Sequence, residues 1–380
     1  MLIQGLSPGE LPKSDDILHF FLTPGHKSVY DLVYAAERLT LLTTKDNKAK
    51  LVSLRVLGYL VLLAPGPDHK ALAEIATAVR TTDLSDLYVL GEIYSDCFVR
   101  SCELYRNIQG TLTDILLVYK VKGSQTPFTP SHPSRPSFDA RVQEIKATIL
   151  QAPKNHSEAK DKALVRDGYR CVVTGTIDTE CKGFFDLTEL KKSGTLRTEC
   201  AHIIPEATYF GLDKGKTVCH YSASVLAVFD RFGVQFDKLN EGNIHSLWNV
   251  MTLVQPIHDS FDRLELWFEA TVSILLYALT VFSSFHEYFI KTTDETNRLL
   301  SELNGPITLT SSDPNVPLPD PKLLAFHAAA CRVAYLSGAT EYMEEILRDF
   351  ERLNVLAEDG GSLAILEHAF FQAGLVRVEV

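Results

Sequence analysis

Residues 248–262 read Trp248-Asn249-Val-Met-Thr-Leu-Val-Gln-Pro256-Ile-His258-Asp-Ser-Phe-Asp262, and the rest of the chain can be organised around them. The first half has the pattern of a loop followed by a strand. Pro256 suits the opening turn of a helix, where its missing N–H leaves no hydrogen bond unmade. A helix from Ile257 to about Leu264 puts His258 and Asp262 at i and i+4, so imidazole and carboxylate point to one spot. Such a pair can ligate a divalent cation. Asn249 stands at the strand entrance, and its side-chain amide, donor and acceptor at once, can fix a neighbouring strand. That neighbour is the strand-like run Cys200-Ala-His-Ile-Ile-Pro205, which carries His202. Two strands and a helix, with a metal on the helix and a histidine facing it, suit phosphodiester hydrolysis. The cation stabilises charge on the phosphate and the leaving oxygen, while a neutral imidazole takes a proton from the attacking water.

Working outward, the chain has 380 residues, 46% of them hydrophobic and 22% charged, which is ample for a folded core and too long for one ordinary domain. Proline recurs every three residues from Pro127 to Pro136, so 122–138 reads as an extended linker. A second Pro-rich stretch, 305–321, reads as a surface loop. The expected class is α+β and mostly helical. It comprises an N-terminal helical domain over 1–121, the linker, a central domain over 139–304, the loop, and C-terminal helices over 322–380 packed on the core. In the N-terminal part Val29, Leu32, Val33, Ala36, Leu39 and Leu42 mark an amphipathic helix. In the C-terminal part Leu323, Leu324, Phe326, Ala329, Ala330, Val333 and Ala334 mark a buried stripe. The central domain opens with helices over Arg141–Leu150 and Ser157–Asp167, the second capped by Ser157 and ended by Gly168. Tyr169–Gly175 is strand-like, as are residues from Glu265 to about Leu279.

Thirty-seven Lys and Arg against 48 Asp and Glu leave a net charge of −11, so the chain as a whole repels polyanions and membrane surfaces. From Asp139 to Arg263 there are 16 basic and 17 acidic residues, a net of −1, so the central region is nearly neutral. Affinity for a duplex grows with phosphate neutralisation. Any nucleic-acid binding is therefore expected to be weak and non-specific. Arg166 and Arg170, at the end of a helix, are the candidate phosphate contacts, whereas Lys191, Lys192 and Arg197 read as a solvated basic loop. His220 and His245 have no partner at ligand spacing and fall outside the expected site. Seven cysteines without a CxxC pair give neither a disulfide framework nor a zinc ribbon. No apolar run reaches the roughly 18 residues of a membrane span, and the first residues lack the pattern of a signal peptide. The expectation is an intracellular protein of the cytoplasm or nucleus.

Four blocks in order, Arg166-Asp-Gly-Tyr-Arg-Cys171-Val-Val-Thr-Gly175, Cys200-Ala-His202-Ile-Ile-Pro205, Asn249 and His258-x-x-x-Asp262, resemble the HNH endonuclease domain of the ββα-metal superfamily. The form is the one common in fungal, mushroom-type proteins, and the resemblance spans about 140–275. It implies a metal-dependent endonuclease in which His202 activates water, Asn249 orients the catalytic loop, and His258 and Asp262 hold the metal. The implied ion is Mg²⁺ first, with Mn²⁺, Zn²⁺ or Ni²⁺ also accepted by a site containing histidine. DNA is the implied partner ahead of RNA, and the helical N-terminal domain is a candidate surface for a protein partner. One position departs from the pattern. Ala201 stands where many members carry an Asp, Glu or His ligand, which leaves Glu206, Asp259 or phosphate oxygens to complete the shell. The alternatives are an HNH fold turned to a small-molecule substrate and a non-catalytic interaction module.

Overall fold

The computed structural model describes residues 6–21, 23–43, 48–63, 72, 75–76, 84–99, 153–205, 232, 243–271, 286–294, 296, 298–301, 303 and 305–352. The 122–138 linker, the Arg141–Leu150 helix, Glu206, His220 and everything after 352 lie outside these residues, and with them the expected boundary of the N-terminal part.

Among the described residues the principal helices are α1 (Pro24–Thr43), α2 (Lys48–Leu63), α3 (Leu84–Tyr94), α4 (His156–Arg166), α5 (Leu187–Ser193), α6 (Gln255–Asp262), α7 (Pro321–Ser337) and α8 (Ala339–Arg352). The strands are β1 (Ile177–Asp178), β2 (Thr195–Leu196), β3 (Thr198–His202), β4 (Val250–Val254), β5 (Leu266–Ala270), β6 (Glu287–Thr292) and β7 (Ile307–Thr308). They form three small sheets: β1 parallel to β2, β3 antiparallel to β4, and an antiparallel β5-β6-β7 sheet. The protein is thus α+β and mostly helical. None of its described helices is long and apolar enough to cross a membrane.

Helix α2 is buried almost continuously from Val52 to Leu63 because α1, α3 and α7 all pack on it. At Gly91 the α3 backbone comes so close to α2 that a β-carbon would lie 2.5 Å from the Ser53 carbonyl oxygen. Helix α7 is apolar around most of its circumference, as a helix packed on several sides must be. All seven residues of its expected stripe are buried, and it packs on both α2 and β5. One apolar core therefore runs from α1–α3 through α7 to β5 and β6.

On α1 the observed face differs from the expected stripe. Val29, Val33 and Ala36 are inside, but Leu32, Leu39 and Leu42 are exposed, while Glu37 and Thr40 are buried instead. Glu37 is acceptable there because its carboxylate accepts hydrogen bonds from Arg55 Nε (2.7 Å), an Arg38 guanidinium nitrogen (2.8 Å) and Leu11 N (3.1 Å). A buried charge needs such pairing.

Candidate active site

Strand β3 lies against β4 with Thr198 opposite Val254 and His202 opposite Val250. Helix α6 follows β4 with no intervening loop, and Pro256 sits in its first turn. Helices α6 and α4 both pack on this pair of strands. Cys200 and Val250 share a small core with Ala159 and Ala163 of α4, whereas Ala201, Met251 and Leu253 join the main core with Ile257 and Phe261 of α6. Alternation along a strand makes this division. The chain leaves α6 through Leu264, which takes a left-handed conformation (φ 57°) and buries its side chain.

Helix α4 starts one residue earlier than expected. Its cap is Asn155, whose side-chain oxygen accepts from Glu158 N at 2.9 Å, and Ser157 lies inside the helix. His156 is consequently the first helical residue.

Asn249 is completely buried and is the fastener of the site. Its side-chain oxygen accepts from Ile204 N (3.0 Å), and its amide nitrogen donates to Ile204 O (3.0 Å) and Ile244 O (2.8 Å). Its backbone oxygen accepts from Ile203 N at 2.8 Å. One side chain thus pins the segment after His202 and the turn that carries His245.

His258 is held between two carboxylates. Its Nδ1 lies 2.8 Å from Glu199 Oε2 and its Nε2 lies 3.4 Å from Asp262 Oδ2. Glu199 was not among the expected site residues. Its position carried a signal nonetheless, since a strand's two-residue period places it on the same face as Ala201. Ala201 itself is fully enclosed in the core and offers no ligand atom, and Asp259 is exposed.

His202 is within electrostatic reach of His258 and Asp262, but its direct neighbours are two other histidines. Its Nε2 is 3.2 Å from His245 Nδ1, and its ring stacks on His156 with centroids 5.3 Å apart. His245, excluded on sequence spacing, therefore belongs to the site. Loss of solvent, then the His156, His245 and His258 imidazoles, pull the His202 pKa down to about 3, against a smaller upward pull from Asp262. The ring is neutral at physiological pH and available as a proton or metal acceptor. A phosphodiester bound beside it raises its basicity, because negative charge favours the imidazolium.

The two arginines expected to contact phosphate are engaged otherwise. Arg166 has no exposed surface; it donates to both Asp167 oxygens and to the carbonyls of Leu247, Val250 and Pro317. It cannot reach a substrate. Arg170 lies over the Phe185 ring and donates to Gly175 O, Ser193 Oγ and Glu189 Oε1, which fastens the 170–194 segment. The 305–321 stretch is likewise more than a surface loop: it supplies Pro317 O to Arg166, and Ser312 N donates to Arg166 O.

His202 and Asn249 thus stand at one end of the two antiparallel strands, and His258 lies on the helix packed against them. Residues 171–269 match the family model of HNH endonucleases. The HNH match covers β1 to β4 and all but the last residue of β5, with α5 and α6, and it includes His202, His245, Asn249, His258 and Asp262. Helix α4, with His156 and Arg166, precedes it. No curated protein and no solved structure matches the chain.

The HNH family is one of nucleases that generally use a divalent metal. His258 Nε2 and the Asp262 carboxylate supply one nitrogen and one oxygen donor at one spot, Glu199 holds the ring from Nδ1, and all three keep at least a small opening to solvent. This chemistry fits such an ion.

Proposed function

We propose that the β3-β4-α6 unit is a metal-dependent endonuclease site that hydrolyses phosphodiester bonds, with DNA as the preferred substrate. One observation supports this above the others: His258 and Asp262 meet on α6, which packs on the strand that ends at His202, and all three lie inside the HNH match.

His258 and Asp262 would hold the cation, with Glu199 orienting the His258 ring from its other nitrogen. When bound, the cation supplies positive charge to the phosphate and leaving oxygen. The protein's own part centres on His202. Its neutral ring accepts the proton of the attacking water, and Asn249 holds the segment behind it so that the ring stays at the strand end.

The near-neutral charge of this region and the internal engagement of Arg166 and Arg170 favour weak binding without sequence preference. His202→Ala is expected to lower the rate of nicking of supercoiled plasmid by about 10²- to 10⁴-fold, the usual worth of a positioned base. Unchanged nicking in a folded His202→Ala protein would remove His202 from the reaction.

A further inference from the structure

Three histidines from separate parts of the chain meet beside the HNH strands. His156 opens α4, His202 ends β3, and His245 closes the short 3₁₀ turn Asn243–His245 that Asn249 pins in place. One ring nitrogen from each lies within 4.8 Å of the other two. His202 Nε2 and His245 Nδ1 are 3.2 Å apart, and the centroids of His156 and His202 are separated by 5.3 Å. Zn–N bonds of about 2.0–2.1 Å place two ligands of a tetrahedral ion roughly 3.3 Å apart, so the His202–His245 pair already has ligand spacing. The third nitrogen comes into range by a side-chain adjustment of His156, whose exposed position leaves it room.

We infer that His156, His202 and His245 form a three-imidazole site for a transition-metal cation of the Zn²⁺ class, separate from the Glu199, His258 and Asp262 group. The donor set decides the class. Three neutral nitrogens without an oxygen ligand suit Zn²⁺, Co²⁺, Ni²⁺ or Cu²⁺ and do not suit Mg²⁺ or Ca²⁺, which prefer oxygen. Three histidines also leave a fourth position for water or a small ligand.

The site has a consequence that rests on the proposed hydrolytic reading. A neutral imidazole has one lone-pair nitrogen, so a His202 ring that holds a cation has none left to accept a proton, and occupancy of the three-histidine site and hydrolysis exclude one another.

The test reads metal binding and not cleavage, so it can fail while the hydrolytic reading stands. Chelator-treated full-length protein is titrated with Co²⁺, followed by visible ligand-field absorption, and then with Zn²⁺ to displace it. The same titration is run on His258→Ala, His156→Ala and His245→Ala, each checked for folding by circular dichroism. The expected result is Co²⁺ absorption in wild type that persists in His258→Ala and is displaced by Zn²⁺. Affinity should fall roughly a hundredfold or more on losing one of three protein ligands, in both His156→Ala and His245→Ala. Three outcomes overturn the site: no such absorption in folded wild type, equal affinity in His156→Ala, or loss of the absorption in His258→Ala alone.

Discussion

Replacing Arg166 with alanine should destabilise the protein by about 3–5 kcal/mol, the usual result of removing one partner from a buried ion pair. The guanidinium is wholly enclosed, and it binds Asp167 through two nitrogens at 2.7 and 3.0 Å. Without it, Asp167 remains a buried carboxylate whose other hydrogen bond comes from Thr252 N at 2.9 Å. The carbonyls of Leu247, Val250 and Pro317 lose a donor in the same step. Those three belong to the turn before β4, to β4 itself and to the 305–321 stretch, so one residue ties three segments behind the site. Arg166→Lys should recover only part of the loss, because an ammonium group cannot replace a fork that serves five acceptors. Replacing the pair together, Arg166→Met with Asp167→Leu, should cost less than Arg166→Met alone, since no charge is then stranded. Urea unfolding midpoints of wild type and the four variants measure this. A loss below about 1 kcal/mol in Arg166→Ala would show that the arginine does not carry the load assigned to it.

Asn249→Ala should cost about 2–4 kcal/mol, because it leaves buried backbone groups of Ile204 and Ile244 without partners. Asn249→Asp should be no better. It keeps the acceptor for Ile204 N but turns a carboxylate oxygen toward the carbonyls of Ile204 and Ile244, where the native amide donates. The effect on function should exceed the effect on stability. At a temperature where the variant is still folded, nicking should fall at least tenfold, as the His202 segment loses its anchor. Thermal unfolding and nicking measured on the same samples separate the two effects. Full activity in a folded Asn249→Ala protein would mean that the strand end is held by something else.

The parts of this structure that could be read from sequence are those whose signal is local. Trp248 to Asp262 encodes a 3₁₀ turn, a strand, a proline and a one-face histidine-carboxylate pair in adjacent residues, and the fold follows that order. The stripe of α7 was legible because its apolar residues recur at three- and four-residue spacing within one helix, and the buried His327 among them is tolerated because its Nε2 lies 3.2 Å from Phe261 O. Where two apolar ridges run side by side, as on α1, periodicity cannot say which of them meets the core. The choice was made by Glu37, whose burial depends on Arg55 from a different helix. The same limit hid the histidine cluster. His202 and His245 are 43 residues apart, and the clamp formed by Asn249 ties their two segments together. Arg166 and Arg170 misled for a related reason. A cation at a helix end looks alike in sequence whether it turns to solvent or inward, and here the acceptors lie 81 or more residues away in the case of Leu247, Val250 and Pro317.

The central claim is that the HNH segment is a working, metal-dependent phosphodiesterase. It is tested most directly by nicking of supercoiled plasmid by chelator-treated wild-type protein, with Mg²⁺ and Mn²⁺ titrated back and His258→Ala run alongside. The expected result is no nicking in chelator, recovery with either ion, and a loss in His258→Ala that raising the metal concentration partly restores. Absence of nicking by folded wild type at every ion concentration, or equal nicking in chelator, would contradict it.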